Sequence, residues 1–264
     1  ISLLKYAYFD GTEWIKQTVE TNANAGWDTS LVLDAAGHPH ISYHDGTLRY
    51  AYHTGTAWNT TTVDSDLGTG RFSALALDPN TGRPRISYSL YSMDYDTSLE
   101  LRYAEYTGTD WQIETVDTAA SVGRFTSLAI DSAGHPHISY VSNWPDVTLK
   151  YSHCAGTLCL NEVIEEAGVP LEWSPLRLDS TDHPHLSYFH YNSGTVNYAQ
   201  HNGSSWITET VAQTGEIGGL LALVLDDNEL PHISYYDDTA HSINYAYYTG
   251  ATWITETVST YYID

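Results

Sequence analysis

The chain has 264 residues, enough for one large, well-buried domain, of which 42% are hydrophobic and only 16% charged, with a formal net charge of −23. A polyanion without a Lys/Arg-rich run repels nucleic-acid phosphates and anionic membrane surfaces, and no apolar run reaches the roughly 18 residues of a spanning helix. Abundant Tyr (22) and Trp (8), with 19 Gly, read as strands separated by tight turns, an all-β class.

The chain opens directly in strand-like sequence, as a mature or trimmed product would. Residues 4–19 read as a hairpin, and Ile1-Ser2 as the end of a strand that is missing. The first full repeat then has four short strands. Strand A is SLVLD (30–34), followed by a turn Asp34-x-x-Gly37-x-Pro39. Strand B is HISY (40–43), strand C is LRYAY (48–52) and strand D is WNTTTV (58–63). Asp34 folds its carboxylate onto backbone amides of the turn, Gly37 supplies left-handed backbone and Pro39 stiffens the exit. About ten residues then run to the next strand A.

Copies recur roughly 48 residues apart. HISY-like segments stand at 40–43, 85–88, 137–140, 185–188 and 232–235. A Tyr-Ala-x-x-x-Gly-x-x-Trp segment ends at Trp14, Trp58, Trp111, Cys159, Trp206 and Trp253. Four-stranded units joined by short hairpins and one longer link, repeated radially, predict a β-propeller, a single domain over residues 1–264. Five full sets plus the first hairpin favour six blades with an incomplete first one; five blades and an extra hairpin is the alternative. An incomplete blade also offers an open edge for strand exchange or self-association, as in a fragment of a longer repeat protein.

The string LKYAYFDGTEW (4–14) and its copies resemble tandem propeller repeats of bacterial secreted proteins. The turn around Asp10, Gly11 and Trp14 is loosely similar to the Asp-box of sialidase-type propellers. The strand–loop–strand–Gly–Trp order is similar to that of six-bladed fucose-binding lectins. Those lectins clamp sugar between blades with Arg, Glu and an aromatic residue. The loosely matching positions here hold apolar residues and Tyr, as at Ile41 and Tyr50, so that sugar site is not carried over.

His38-Pro39-His40, His135-Pro136-His137 and His183-Pro184-His185 place two imidazoles on one strand face, as metal sites often require. Other copies hold Arg83 and Arg85, or Leu230 and His232. A guanidinium does not replace a metal ligand, so the expected role is structural, with the turn aspartates Asp34, Asp78, Asp131, Asp179 and Asp226 as acceptors. Cys154 and Cys159 flank a Gly turn in one hairpin, which predicts a disulfide and an oxidising, secreted or cell-surface setting. No GxSxG, HExxH or phosphate-binding loop occurs, and no pair of carboxylates stands out for glycoside cleavage.

The A–B and C–D turns agree closely between copies, whereas the B–C and D–A connections vary and should present function. On that varied rim the candidate ligand-binding residues are Trp27, Asp28, Arg71, Arg124, Trp144, Asp146, Glu172, Trp173 and Tyr191, since aromatics stack on sugars and polar groups orient them. Asp94, Asp96, Asp237 and Asp238 are acid pairs of a kind calcium takes, although EF-hand spacing is absent. No other cofactor is indicated. The expected function is a non-enzymatic extracellular module recognising a glycan or a protein; the alternatives are a glycan-acting hydrolase or lyase, or an assembly module of a longer surface protein.

Overall fold

The computed structural model describes residues 3–22, 24–92, 97–119, 121–142, 147–156, 158–166, 173–215 and 217–260, and within them every regular element is a strand. Trp144, Asp146, Glu172, Asp94 and Asp96 lie outside the described residues. The chain divides into two compact units, Ile1–Arg124 and Phe125–Asp264.

The first unit holds the two-stranded sheet β1 (Leu4–Phe9) and β2 (Trp14–Glu20) and two four-stranded sheets. These are β3 (Trp27–Leu33), β4 (Pro39–His44), β5 (Leu48–His53) and β6 (Trp58–Asp64), then β7 (Thr69–Leu77), β8 (Pro84–Ser92), β9 (Thr97–Tyr106) and β10 (Trp111–Asp117). The second unit holds three sheets. They are β11 (Arg124–Ile130), whose first residue precedes the boundary, β12 (Pro136–Val141), β13 (Thr148–Ala155) and β14 (Leu158–Glu166); then β15 (Leu176–Leu178), β16 (Pro184–His190), β17 (Thr195–His201) and β18 (Trp206–Gln213); then β19 (Ile217–Leu225), β20 (Pro231–Asp237), β21 (Ser242–Tyr248) and β22 (Trp253–Thr260). Each sheet is an antiparallel meander in sequence order, the blade expected from the repeat.

The turn chemistry is as the sequence implies. Asp34 Oδ1 accepts the amides of Ala36 and His38 at 2.9 and 2.8 Å, and Asp131, Asp179 and Asp226 repeat the pattern. Within each unit the core lies between adjacent blades and is built by alternation along their strands. Tyr43, Tyr88, Tyr140 and Tyr188 of the HISY segments are almost wholly buried, while Ala51, Ala104, Ala199 and Ala246 leave room for the packing opposite.

Blades within each unit are fastened in two repeated ways. The buried strand-B tyrosine reaches an acid at the end of strand D of the preceding blade: Tyr43 to Glu20, Tyr88 to Asp64 at 2.8 Å, and Tyr188 to Glu165 at 3.1 Å. At Asp64 the bond is reinforced by Arg102, 2.9 Å away. The tryptophan opening strand D packs edge-on against a strand-C tyrosine of the preceding blade: Trp58 on Tyr6, Trp111 on Tyr50, Trp206 on Tyr151 and Trp253 on Tyr198.

The D–A link between β6 and β7 is shorter than expected. Only residues 65–68 separate β6 from β7, because strand A starts earlier than the alternation suggests. Register shifts between Trp27 and Ser30, and between Thr69 and Ala74, mark bulges where Asp28 and Phe72 take positive φ (49° and 54°); Phe125 does the same (52°). A bulge lets the strand continue while two residues face one, which breaks the period-2 pattern and makes strand look like loop. Trp27, Asp28, Arg71 and Arg124 therefore sit in strand A and not in a loop. Gly70, before one bulge, has φ 88°, and a Cβ there would lie 2.8 Å from the Leu48 Cα of the neighbouring blade.

Candidate functional site

On the varied rim, most of the described candidate residues are engaged by neighbouring groups. Arg71 Nε lies 2.6 Å from Asp28 Oδ2, and its guanidinium covers the rings of Tyr91 and Phe72 at 5.0 and 5.5 Å. Arg124 covers Phe72 from 5.3 Å. In the second unit, Trp173 leans on Phe125 and Tyr191 on Phe189. Trp27 is 57% exposed. Asp237 Oδ1 accepts the Ala240 amide at 2.9 Å within its own turn, and Asp238 follows it in that turn. A rim pocket of about 420 Å³ is lined by His44, Leu67, Leu90, Tyr91 and Leu99 with small residues, and contains none of the candidate residues.

The HPH histidines serve the turn aspartates. His38 Nδ1 is 3.2 Å from Asp34 Oδ2, and Nδ1 of His40 shares a hydrogen bond with the Tyr50 hydroxyl. Arg85, standing in for His, donates to Asp78 at 2.6 Å. Burial holds His40 and His185 below the ordinary imidazole range, so both are neutral at neutral pH. Cys154 and Cys159 are directly opposite in the β13–β14 hairpin and form the expected disulfide.

The structure reveals a larger concavity elsewhere. A groove of about 790 Å³ runs between the β3–β6 and β7–β10 blades of the first unit and opens beside the A–B and C–D turns. From one blade come His40, Tyr50, Tyr52 and strand-D residues 59–63; from the other, Arg83, Tyr106, Asp110 and Trp111. Tyr50 and Tyr52 are stacked, with centroids 5.8 Å apart, and Trp111 stands edge-on to Tyr50 at 5.4 Å. Tyr52 is 37% exposed and Trp111 half-buried, so aromatic surface faces the groove. Burial raises the Tyr50 phenol above its usual range, leaving Arg83 and Asp110 as the charged groups of the lining.

One residue explains why the groove is open here. In three other seams the indole N–H of the strand-D tryptophan is taken by a long side chain of the preceding blade: Trp58 donates to Gln17 (2.7 Å), Trp206 to Glu162 (2.8 Å) and Trp253 to Glu209 (3.0 Å). Gln17, Glu162 and Glu209 each pair opposite the packing tyrosine, and the residue at that register in the groove is Thr61, opposite Tyr50. Threonine is too short to reach Trp111, and its hydroxyl instead donates to the Thr62 carbonyl at 3.3 Å. A side chain that fills those seams is thus missing, and the Trp111 N–H and ring border open space. The signal was present in the sequence: three residues after the strand-D opening stand Gln17, Thr61, Glu114, Glu162, Glu209 and Glu256, and Thr61 alone is short.

No protein-family model matches the chain, and no curated protein matches it. Solved structures do match. A structure of AofleA from Arthrobotrys oligospora has a TM-score of 0.61 at 12% identity, covering 98% of this chain and 80% of that one. The fucose-specific lectin from Aleuria aurantia has a TM-score of 0.58 at 14% identity, covering 92% and 82%. The fold is a β-propeller. An alpha-L-arabinofuranosidase from Fusarium graminearum, with a TM-score of 0.61 at 10% identity over 88% and 80%, shares the architecture. At such identities the likeness speaks of fold alone, and a lectin and a hydrolase both carry it.

Proposed function

We propose that this propeller is a carbohydrate-binding module and that sugar occupies the groove between the β3–β6 and β7–β10 blades. The observation that carries the reading is the Thr61 gap, which leaves Trp111 and Tyr52 beside a groove of about 790 Å³ edged by Arg83 and Asp110. A pyranose presents a C–H face that stacks on such rings and hydroxyls that accept from an indole N–H or guanidinium and donate to a carboxylate. The lining has one carboxylate, Asp110, whereas most glycoside hydrolases act with a pair, so recognition fits the groove better than cleavage. The likeness to a fucose-specific lectin makes fucosylated glycans the first probes. The Cys154–Cys159 bond supports a secreted or cell-surface setting.

The test is a glycan array followed by titration calorimetry, comparing the intact protein with Trp111→Ala and with Trp27→Ala on the varied rim. Binding lost in Trp111→Ala and kept in Trp27→Ala supports the groove. The reverse pattern moves the site to the rim. Absence of binding to any glycan rejects the reading.

A further inference from the structure

We propose that Asp131, His137 and His153, all on the β11–β14 blade, form a binding site for a divalent d-block cation of the zinc type. Their ligand atoms lie within 4.8 Å of one another, and this is the one such group of three found among the described residues. Asp131 Oδ2 is 3.5 Å from His137 Nε2 and 3.6 Å from His153 Nε2. Those separations are long for hydrogen bonds, and neither Nε2 has a hydrogen-bond partner although both atoms are buried. They are close to the edge of about 3.3 Å of a tetrahedron whose metal–ligand bonds are about 2.0–2.1 Å. An ion at the centre would satisfy two orphaned nitrogens and a carboxylate at once.

The surroundings orient the ligands. His137 is 4% exposed, and its Nδ1 shares a 2.5 Å hydrogen bond with the Tyr151 hydroxyl, which fixes the ring and directs Nε2 at Asp131. His153 pairs directly opposite His137 across β12 and β13, with ring centroids 4.3 Å apart. Its side chain is 35% exposed, so the cluster has a path to solvent. His135 Nδ1 lies 3.3 Å from the same Oδ2 but outside the group of three, so water on the open side would complete the tetrahedron.

The decisive residue is the one that differs between blades. The aspartate–histidine contact is general: His40 to Asp34, His185 to Asp179 and His232 to Asp226 lie at 3.4–3.7 Å. Two ligands from one turn and one strand hold such an ion poorly. The partner of the strand-B residue across strand C is Tyr52, Glu105, Gln200 or Tyr247 in the other blades, and His153 in this one. The third ligand therefore exists in a single blade.

The test uses the full chain, freed of metal by a chelator, titrated with Co²⁺ under absorption spectroscopy and with Zn²⁺ by calorimetry. One Co²⁺ per chain should bind with visible ligand-field bands that Zn²⁺ abolishes. His153→Gln and His153→Tyr introduce residues that other blades tolerate at this register, so both should fold; each should lose the bands and weaken Zn²⁺ binding at least tenfold. His185→Gln, in a blade without the third ligand, should leave both signals unchanged. The proposal is overturned if the wild-type chain shows no bands, or if His153→Gln binds Zn²⁺ as the wild type does, which would mean that the net negative charge merely gathers cations.

Discussion

Replacing Thr61 by Gln should close the groove by giving Trp111 the partner that Trp58 already has. In the Trp58 seam the Gln17 Oε1 accepts the indole N–H at 2.7 Å, and Thr61 occupies the matching register opposite Tyr50. A net hydrogen bond of this kind contributes about 0.5–1.5 kcal/mol, and ordering a glutamine side chain opposes it by up to about 1.5–2 kcal/mol when fully buried. Thr61 is exposed and the new side chain would be partly so, which reduces both contributions. The net change in stability should therefore stay within about 1 kcal/mol, a Tm shift of about 2–4 °C or less in a chain of this size. Binding should respond far more. The glutamine takes the indole donor and covers part of the ring that a sugar would use; losing about 1.4 kcal/mol or more lowers affinity at least tenfold. Calorimetry on the best array ligand, paired with a thermal melt, reads both effects. If Thr61→Gln binds that ligand as tightly as the wild type, Trp111 is not in the binding site and the reasoning from the seam gap fails.

Further perturbations test the scaffold. Gly70→Ala should destabilise by about 2–4 kcal/mol in a denaturant melt, because its φ of 88° disfavours a side chain and the new Cβ would meet the Leu48 backbone; a loss below about 0.5 kcal/mol would mean the seam yields easily. Replacing Cys154 and Cys159 together by Ser should cost about 2 kcal/mol by loop-closure entropy for so short a loop, measured by the same melt, and an unchanged midpoint would contradict it. Burial depresses the His185 imidazole, so below about pH 6.5 the unfolded chain binds more protons than the folded one and the stability from neutral His185 is lost as pH falls. Between about pH 7 and 5 the wild type should accordingly lose more Tm than His185→Gln; parallel curves would show that His185 does not set this dependence.

The strands, their order and their turns were legible in the sequence because each depends on local chemistry repeated several times. Alternation in HISY, the aspartate that gathers the turn amides, the glycine turns and the Cys154–Cys159 spacing all act within one hairpin. The bulges were not legible. Asp28 and Phe72 interrupt the alternation, and only the pairing with strand B shows that the strand continues through them. The proposed sites escaped for a related reason. In the sequence Thr61 stands out only as the short member of its repeat position; that it faces Trp111, fifty residues on, with no long side chain to meet the indole is decided by the fold. His153 reads as one histidine among 13 until β12 and β13 pair and set it beside His137 and Asp131. A repeated sequence by itself determines what every blade shares, because the same local forces act in each copy. Which copy departs to make a site is decided by contacts between strands and between blades, since a single substitution acquires meaning only from the neighbour it fails, or manages, to reach.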